Sequence, residues 1–172
     1  MPSHRGADFP PWRWDIPERF NIAVACTDAH LGTPVAGRTA MLVDDATLGP
    51  RSLTFARLAD RSARFAGLLA ALGVGVGDRV LIRLPNGVEY PVAFLGALRR
   101  GAVAVPTSVL LTGDEVLHLA RDSGAVALVT DRRATYLIAL AAGMAIVAIT
   151  LAVHHHDIEE AIRARAHPVA RM

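Results

Sequence analysis

Apolar and polar residues change their period repeatedly along the chain, and each change marks an element. Phe55, Leu58, Ala59, Ser62, Phe65, Ala66, Leu69 and Leu72 recur at helical spacing, with Arg57, Asp60, Arg61 and Arg64 between them. That pattern predicts a helix with one buried face. Thr54 stands at its cap and Gly73 at its end. Val80, Ile82 and Leu84 then alternate with Arg79 and Arg83, which is the two-residue period of a strand. After the turn Pro85-Asn86-Gly87, a second helix is expected over about 89–100, ending at Gly101. Pro91 falls near its first turn, where a missing N–H matters least. Residues 102–105 are short, apolar and stopped by Pro106, which reads as a buried strand. Thr112-Gly113-Asp114-Glu115 has the T-x-x-E form of a capping box, with Leu111 and Val116 at the flanking staple positions. The helix it opens should run to Ser123 and close at Gly124. Residues 125–130 form another short apolar strand.

Strand, helix, strand, helix, strand is therefore the order from 78 to 130. Such alternation predicts an α/β fold of three layers, a mainly parallel sheet flanked by helices. Upstream, residues 1–15 read as an irregular arm around Phe9-Pro10-Pro11-Trp12-Arg13-Trp14. Trp12 and Trp14 either cap the domain's own core or pack on something beyond it. Asp15 looks like a cap, with Pro17 and Glu18 in the first turn of a helix over about 17–31 that stops at Gly32-Thr33-Pro34. Residues 39–43 suit a strand, and Asp44-Asp45 the turn after it.

The composition narrows the chemistry. A chain of 172 residues that is 52% hydrophobic and 20% charged has enough apolar material for one packed domain. Its net charge of +2, with no basic run interleaved with aromatics, argues against a nucleic-acid surface. All 18 basic residues are arginine. Any step that needs a lysine ammonium is excluded within this chain, because guanidinium is a planar, delocalised and non-titrating substitute. The single cysteine, Cys26, precludes an internal disulfide and fits a reducing compartment. On its predicted helix it reads as a small core residue. The opening residues lack the apolar core of a secretory signal, so a cytoplasmic location is expected.

Several blocks in order carry a resemblance. Trp14-Asp15-Ile16-Pro17-Glu18-Arg19-Phe20-Asn21 resembles the entry segment of aryl and medium-chain acyl-CoA synthetases. Leu53-Thr54-Phe55-Ala56-Arg57-Leu58-Ala59 resembles their first long helix, and Leu72-Gly73-Val74-Gly75-Val76-Gly77-Asp78-Arg79-Val80 the helix-to-strand turn of the adenylate-forming superfamily. Leu84-Pro85-Asn86, Ala93-Phe94-Leu95-Gly96-Ala97-Leu98, Gly101-Ala102-Val103-Ala104-Val105-Pro106 and Asp122-Ser123-Gly124-Ala125 continue it. The resemblance spans roughly 12–131 and is closest to benzoate-CoA ligase-like enzymes. It implies the first subdomain of an AMP-dependent synthetase. Such enzymes join a carboxylate to coenzyme A through an acyl-adenylate, using ATP, Mg and CoA. It further implies that the family's phosphate loop, its lysines and most of its acyl pocket lie outside the matched stretch. No catalytic, cofactor-binding or metal-binding residue is therefore assigned here, and no cofactor is expected to bind this chain alone.

The resemblance fades after Asp131-Arg132-Arg133, which leaves 16–131 as a partial AMP-binding domain and 132–172 as a divergent apolar tail with a terminal helix over 157–165. Residues 134–153 carry no charge. They read either as a membrane span, for which about 20 apolar residues suffice, or as a helix, a break at Gly143 and a strand over 145–153. A tail following a frameshift is a third reading. His154-His155-His156 invites a metal, but adjacent side chains diverge and no spaced ligands accompany them. Gly73, Gly75 and Gly77 follow a helix and open a strand, the reverse of a dinucleotide fingerprint. Asp114 and Glu115 are explained by capping, and no G-x-S-x-G elbow occurs. The sequence thus predicts a truncated synthetase relative, inactive alone. The alternatives are a subunit completing a split synthetase and a membrane-anchored non-catalytic protein. A subdomain cut from a larger sheet would leave an unpaired edge, so self-association is also expected.

Overall fold

The computed structural model describes residues 13–45, 49–130 and 147–150, the last four through their backbone. Residues 13–20 are irregular and exposed. Trp14 stands 77% exposed, so it does not cap the core. The helix expected over about 17–31 is much shorter than that. Helix α1 is only Ile22–Cys26, followed by a single 3-10 turn at Asp28–His30. Its start is fixed at Asn21 and not at Asp15. Asn21 Oδ1 accepts from the amides of Ala23 at 3.0 Å and Val24 at 3.2 Å, while Nδ2 donates to the Leu98 carbonyl at 2.8 Å. Thr27, wholly buried, donates to the Ala23 carbonyl at 2.7 Å and closes the helix. Cys26, at the end of α1, is exposed, contrary to its reading as a core residue.

Strand β1 (Thr39–Asp45) continues through the two aspartates where a turn is expected. It pairs antiparallel with β2 (Gly49–Thr54), a strand that periodicity misses. Met41, Val43 and Leu53 face the core, and Leu42 faces outward. Helix α2 (Phe55–Ala71) begins where Thr54 Oγ1 accepts from the Arg57 amide at 3.3 Å. It buries Leu58, Ala59, Ser62, Phe65, Ala66 and Leu69, the stripe expected of it. Helix α3 (Glu89–Arg100) lies against α2. At Gly96 the two backbones are so close that an added Cβ would come 2.6 Å from Phe65 Cδ1 and 3.0 Å from the Ser62 carbonyl oxygen.

Four parallel strands form the main sheet: β3 (Arg79–Arg83), β4 (Val103–Pro106), β5 (Ala127–Thr130) and β6 (Val147–Thr150), in the order β4-β3-β5-β6. Helix α3 carries the chain from β3 to β4, and α4 (Gly113–Ser123) carries it from β4 to β5. On one face Val80, Ile82, Ala127 and Val129 meet Phe65, Leu69, Val92 and Ala97 of α2 and α3. On the other, Leu81 and Leu128 meet Val116 and Ala120 of α4. These are the three layers predicted. Both α3 and α4 end on left-handed glycines, Gly101 (φ 80°) and Gly124 (φ 61°). The capping box of α4 is formed in both directions.

Strand β4 departs from expectation. It is an edge of the described sheet, with Val103 48% exposed. A short apolar run does not distinguish a central strand from an edge. In the tail, residues 147–150 pair with β5, as the helix–break–strand reading expects. No helix among the described residues is long and apolar enough to cross a membrane. Residues 1–12 with Trp12, residues 131–146, the histidines at 154–156 and the helix expected over 157–165 lie outside the described residues.

Candidate functional site at the carboxyl ends of the parallel strands

Strand order sets where a site can form. From β3 the chain passes to β4 on one side, then crosses back to β5 on the other, with α3 and α4 on opposite faces. The order therefore reverses between β3 and β5. Ligands of open parallel sheets lie outside the carboxyl ends of the strands at such a reversal. In this protein those ends are Arg83 and Thr130, paired in register.

Strand alternation places Arg83 and Thr130 on the same face as Leu81 and Leu128, toward α4. Arg83 Nη2 donates to the carbonyls of Val109 at 2.5 Å and Leu111 at 3.0 Å, holding the loop before α4. Arg83 Nε and Thr130 Oγ1 are both buried, and neither has a hydrogen-bond partner among the described residues. Thr130 is 0% exposed. No described carboxylate forms an ion pair with Arg83. The periodicity gave no hint of this pair. Arg83 reads there as the outward half of an alternation, and the register that sets it beside Thr130 depends on two crossovers.

Several other charged groups are paired within the fold. Glu89, in the first turn of α3, sits 3.5 Å from Arg51 and 4.0 Å from Arg61, tying the hairpin to both helices. Burial pulls the Arg61 guanidinium below its ordinary value, opposed by the Glu89 charge. Asp28 accepts from both terminal nitrogens of Arg99. Those bonds hold its carboxyl below the usual carboxylate range, against the opposing effect of burial. Glu115 accepts from the Thr112 amide at 2.8 Å, and that bond, with one from the hydroxyl, lowers its carboxyl too. Glu115 is thus a cap, as the sequence indicates, and Asp114 accompanies it in the first turn of α4.

Gly73 to Gly77 join α2 to β3, and Gly75 donates its amide to Asp78 Oδ2 at 2.7 Å. The segment is a connector. The first turns of α2 and α4 are capped by their own Thr54 and Thr112. Arg83 holds a loop with one outer nitrogen, and the chain has no lysine. The described residues accordingly do not fit a triphosphate. No cluster of three or more His, Cys, Asp or Glu able to hold a metal occurs among them.

Comparison with known proteins gives the fold its relatives. Residues 34–170 match the family described as AMP-binding enzyme. A long-chain-fatty-acid CoA ligase of Salmonella typhimurium is 44% identical over 114 residues, covering 66% of this chain and 19% of that protein. Among solved structures, an acyl-CoA synthetase of Brucella canis superposes with a TM-score of 0.73 at 26% identity, over 84% of this chain and 27% of its own. A benzoate CoA ligase of Burkholderia xenovorans LB400 superposes with a TM-score of 0.68 at 31% identity, over 85% and 29%. The chain thus spans less than a third of the length of these relatives. By the extent of the family match and the agreement of fold, it belongs to the AMP-binding enzymes, within the adenylate-forming superfamily.

Proposed function

We propose that this chain supplies one subdomain of an AMP-forming acyl-CoA synthetase and does not itself ligate acids to thiols. The reaction in question consumes ATP, with Mg, to join an aryl or medium-chain carboxylate to CoA. The carrying observation is the absence of lysine from all 172 residues. A polyphosphate leaving group needs cationic offset at the transferred phosphoryl, and a guanidinium is not an equivalent replacement for a lysine ammonium there. A cytoplasmic location goes with this reading.

Carboxylate-dependent pyrophosphate exchange on the purified chain tests it, with benzoate and octanoate as substrates. Exchange at the no-enzyme background is expected, and saturable exchange would overturn the reading. A second reading, that the chain completes a synthetase supplied separately, draws on its exposed apolar residues. Val103 lies on the sheet edge, and Trp14, Ile16 and Phe20 lie along the entry segment. Exchange that appears only on mixing with such a partner would favour it.

A further inference from the structure

We propose that Arg83 and Thr130 form a two-point site for one oxygen of a small anion, a carboxylate or a phosphate. Three observations converge on it. The first is position, since both residues lie at the carboxyl end of the sheet, at the reversal of strand order, adjacent in register. The second is unmet hydrogen bonding. Arg83 Nε–H and the Thr130 hydroxyl are buried without partners among the described residues, in a class of atom that folded proteins almost always satisfy. The third is charge. The Arg83 guanidinium is half-buried, and among the described residues it donates to the carbonyls of Val109 and Leu111 and meets no carboxylate. Carbonyl oxygens satisfy its donors but leave its charge uncompensated. An anionic oxygen between Nε and the Thr130 hydroxyl would accept from both and balance that charge.

Access is through the loop over 107–111. Val109 is exposed and Leu110 is 89% exposed, so the loop is held at its ends, by the Thr107 amide on the Ile82 carbonyl and by the partly buried Leu111, and its middle packs on little. Its carbonyls at Val109 and Leu111 are what Arg83 grips. Lifting this loop opens the site while the sheet stays intact. The proposal does not depend on the synthetase reading, since it concerns an anion and not adenylate chemistry.

The test uses the full chain at constant ionic strength, replacing chloride stepwise by acetate or by inorganic phosphate. Melting midpoint and the amide resonances of Arg83 and Thr130 are followed. A saturable response to one of these anions is expected, and which anion gives it distinguishes carboxylate from phosphoryl oxygen. Thr130→Val, close to isosteric, and Arg83→Met, which puts a methyl group in place of Nε–H, should each raise the dissociation constant at least ten-fold. A wild-type response no different from chloride would overturn the proposal and leave a buried water as the occupant. So would an unchanged affinity in Thr130→Val. Asp131→Asn tests the carboxylate next in sequence to Thr130. If only that variant binds anions, the chain's own Asp131 fills the position and the small-ligand site falls.

Discussion

The two faces of the parallel sheet are built differently. Toward α2 and α3 the sheet meets an extended apolar cluster from two helices and the β1–β2 hairpin, with Gly96 letting the helix backbones nearly touch. Toward α4 the buried cluster among the described residues is smaller, Leu81, Val116, Ala120 and Leu128 with Val105, Leu111, Leu119 and Ala125 against them, and the carboxyl end of that face holds the polar pair Arg83 and Thr130. One face holds the fold by shape, and the other combines a thin core with groups that look for a partner. The lesson is that stability and chemistry divide across a single sheet whose strands serve both.

The sharpest way to break this comparison is a matched pair of cavities. Leu69 and Leu128 are both essentially inaccessible. Leu69→Ala should remove about 4 kcal/mol, and Leu128→Ala about 2–3 kcal/mol, because the thin α4 layer can collapse into the space. Urea midpoints of both variants check this, and equal losses would erase the distinction between faces. Gly96→Ala comes next. Its methyl would meet Phe65 and a backbone carbonyl that cannot yield, so about 2 kcal/mol should be lost by the same measurement. A neutral Gly96→Ala would show that the α2–α3 contact is loose.

The smallest effect concerns the anchoring of α1. Asp28 is held below its ordinary carboxylate value, first by the Arg99 hydrogen bonds. The folded state therefore binds this proton less readily than the unfolded chain. The resulting stability is fully present above the unfolded carboxylate value of about 3.9, and it is lost as pH falls through the lower folded value. Arg99→Met should flatten that acid limb without shifting stability near neutrality by more than about 1–2 kcal/mol. An unchanged limb in the variant would assign the acid sensitivity elsewhere.

Where local chemistry decides an element, the sequence was readable. Thr54, Thr112 with Glu115, Gly101 and Gly124 fix the ends of α2, α3 and α4 as expected. Where distant contacts decide it, the sequence misled. Asn21, and not Asp15, caps α1, and its side-chain amide is tied to the distant Leu98 carbonyl by the nitrogen that the cap leaves over. Strand β2 begins Gly49-Pro50, poor strand formers read alone, and exists because β1 offers it a partner. The exposure of β4 is a matter of rank within the sheet, which no run of apolar residues encodes. The candidate site was the least legible of all. Its two members are 47 positions apart in sequence (83 to 130) and meet only through parallel register.

Strand β3 also acts on α4 from both sides. At its start, Arg79 donates to the carbonyls of Ser123 at 2.8 Å and Gly124 at 2.7 Å, where α4 ends. At its finish, Arg83 holds the carbonyls just before α4 begins. The crossover is thus a handle riveted at both ends to one strand. A force that pulls on α4 is carried along the axis of β3 rather than peeling the helix from one end. Lysine, a single point charge on a flexible stem, could not make the forked attachment seen at Arg79.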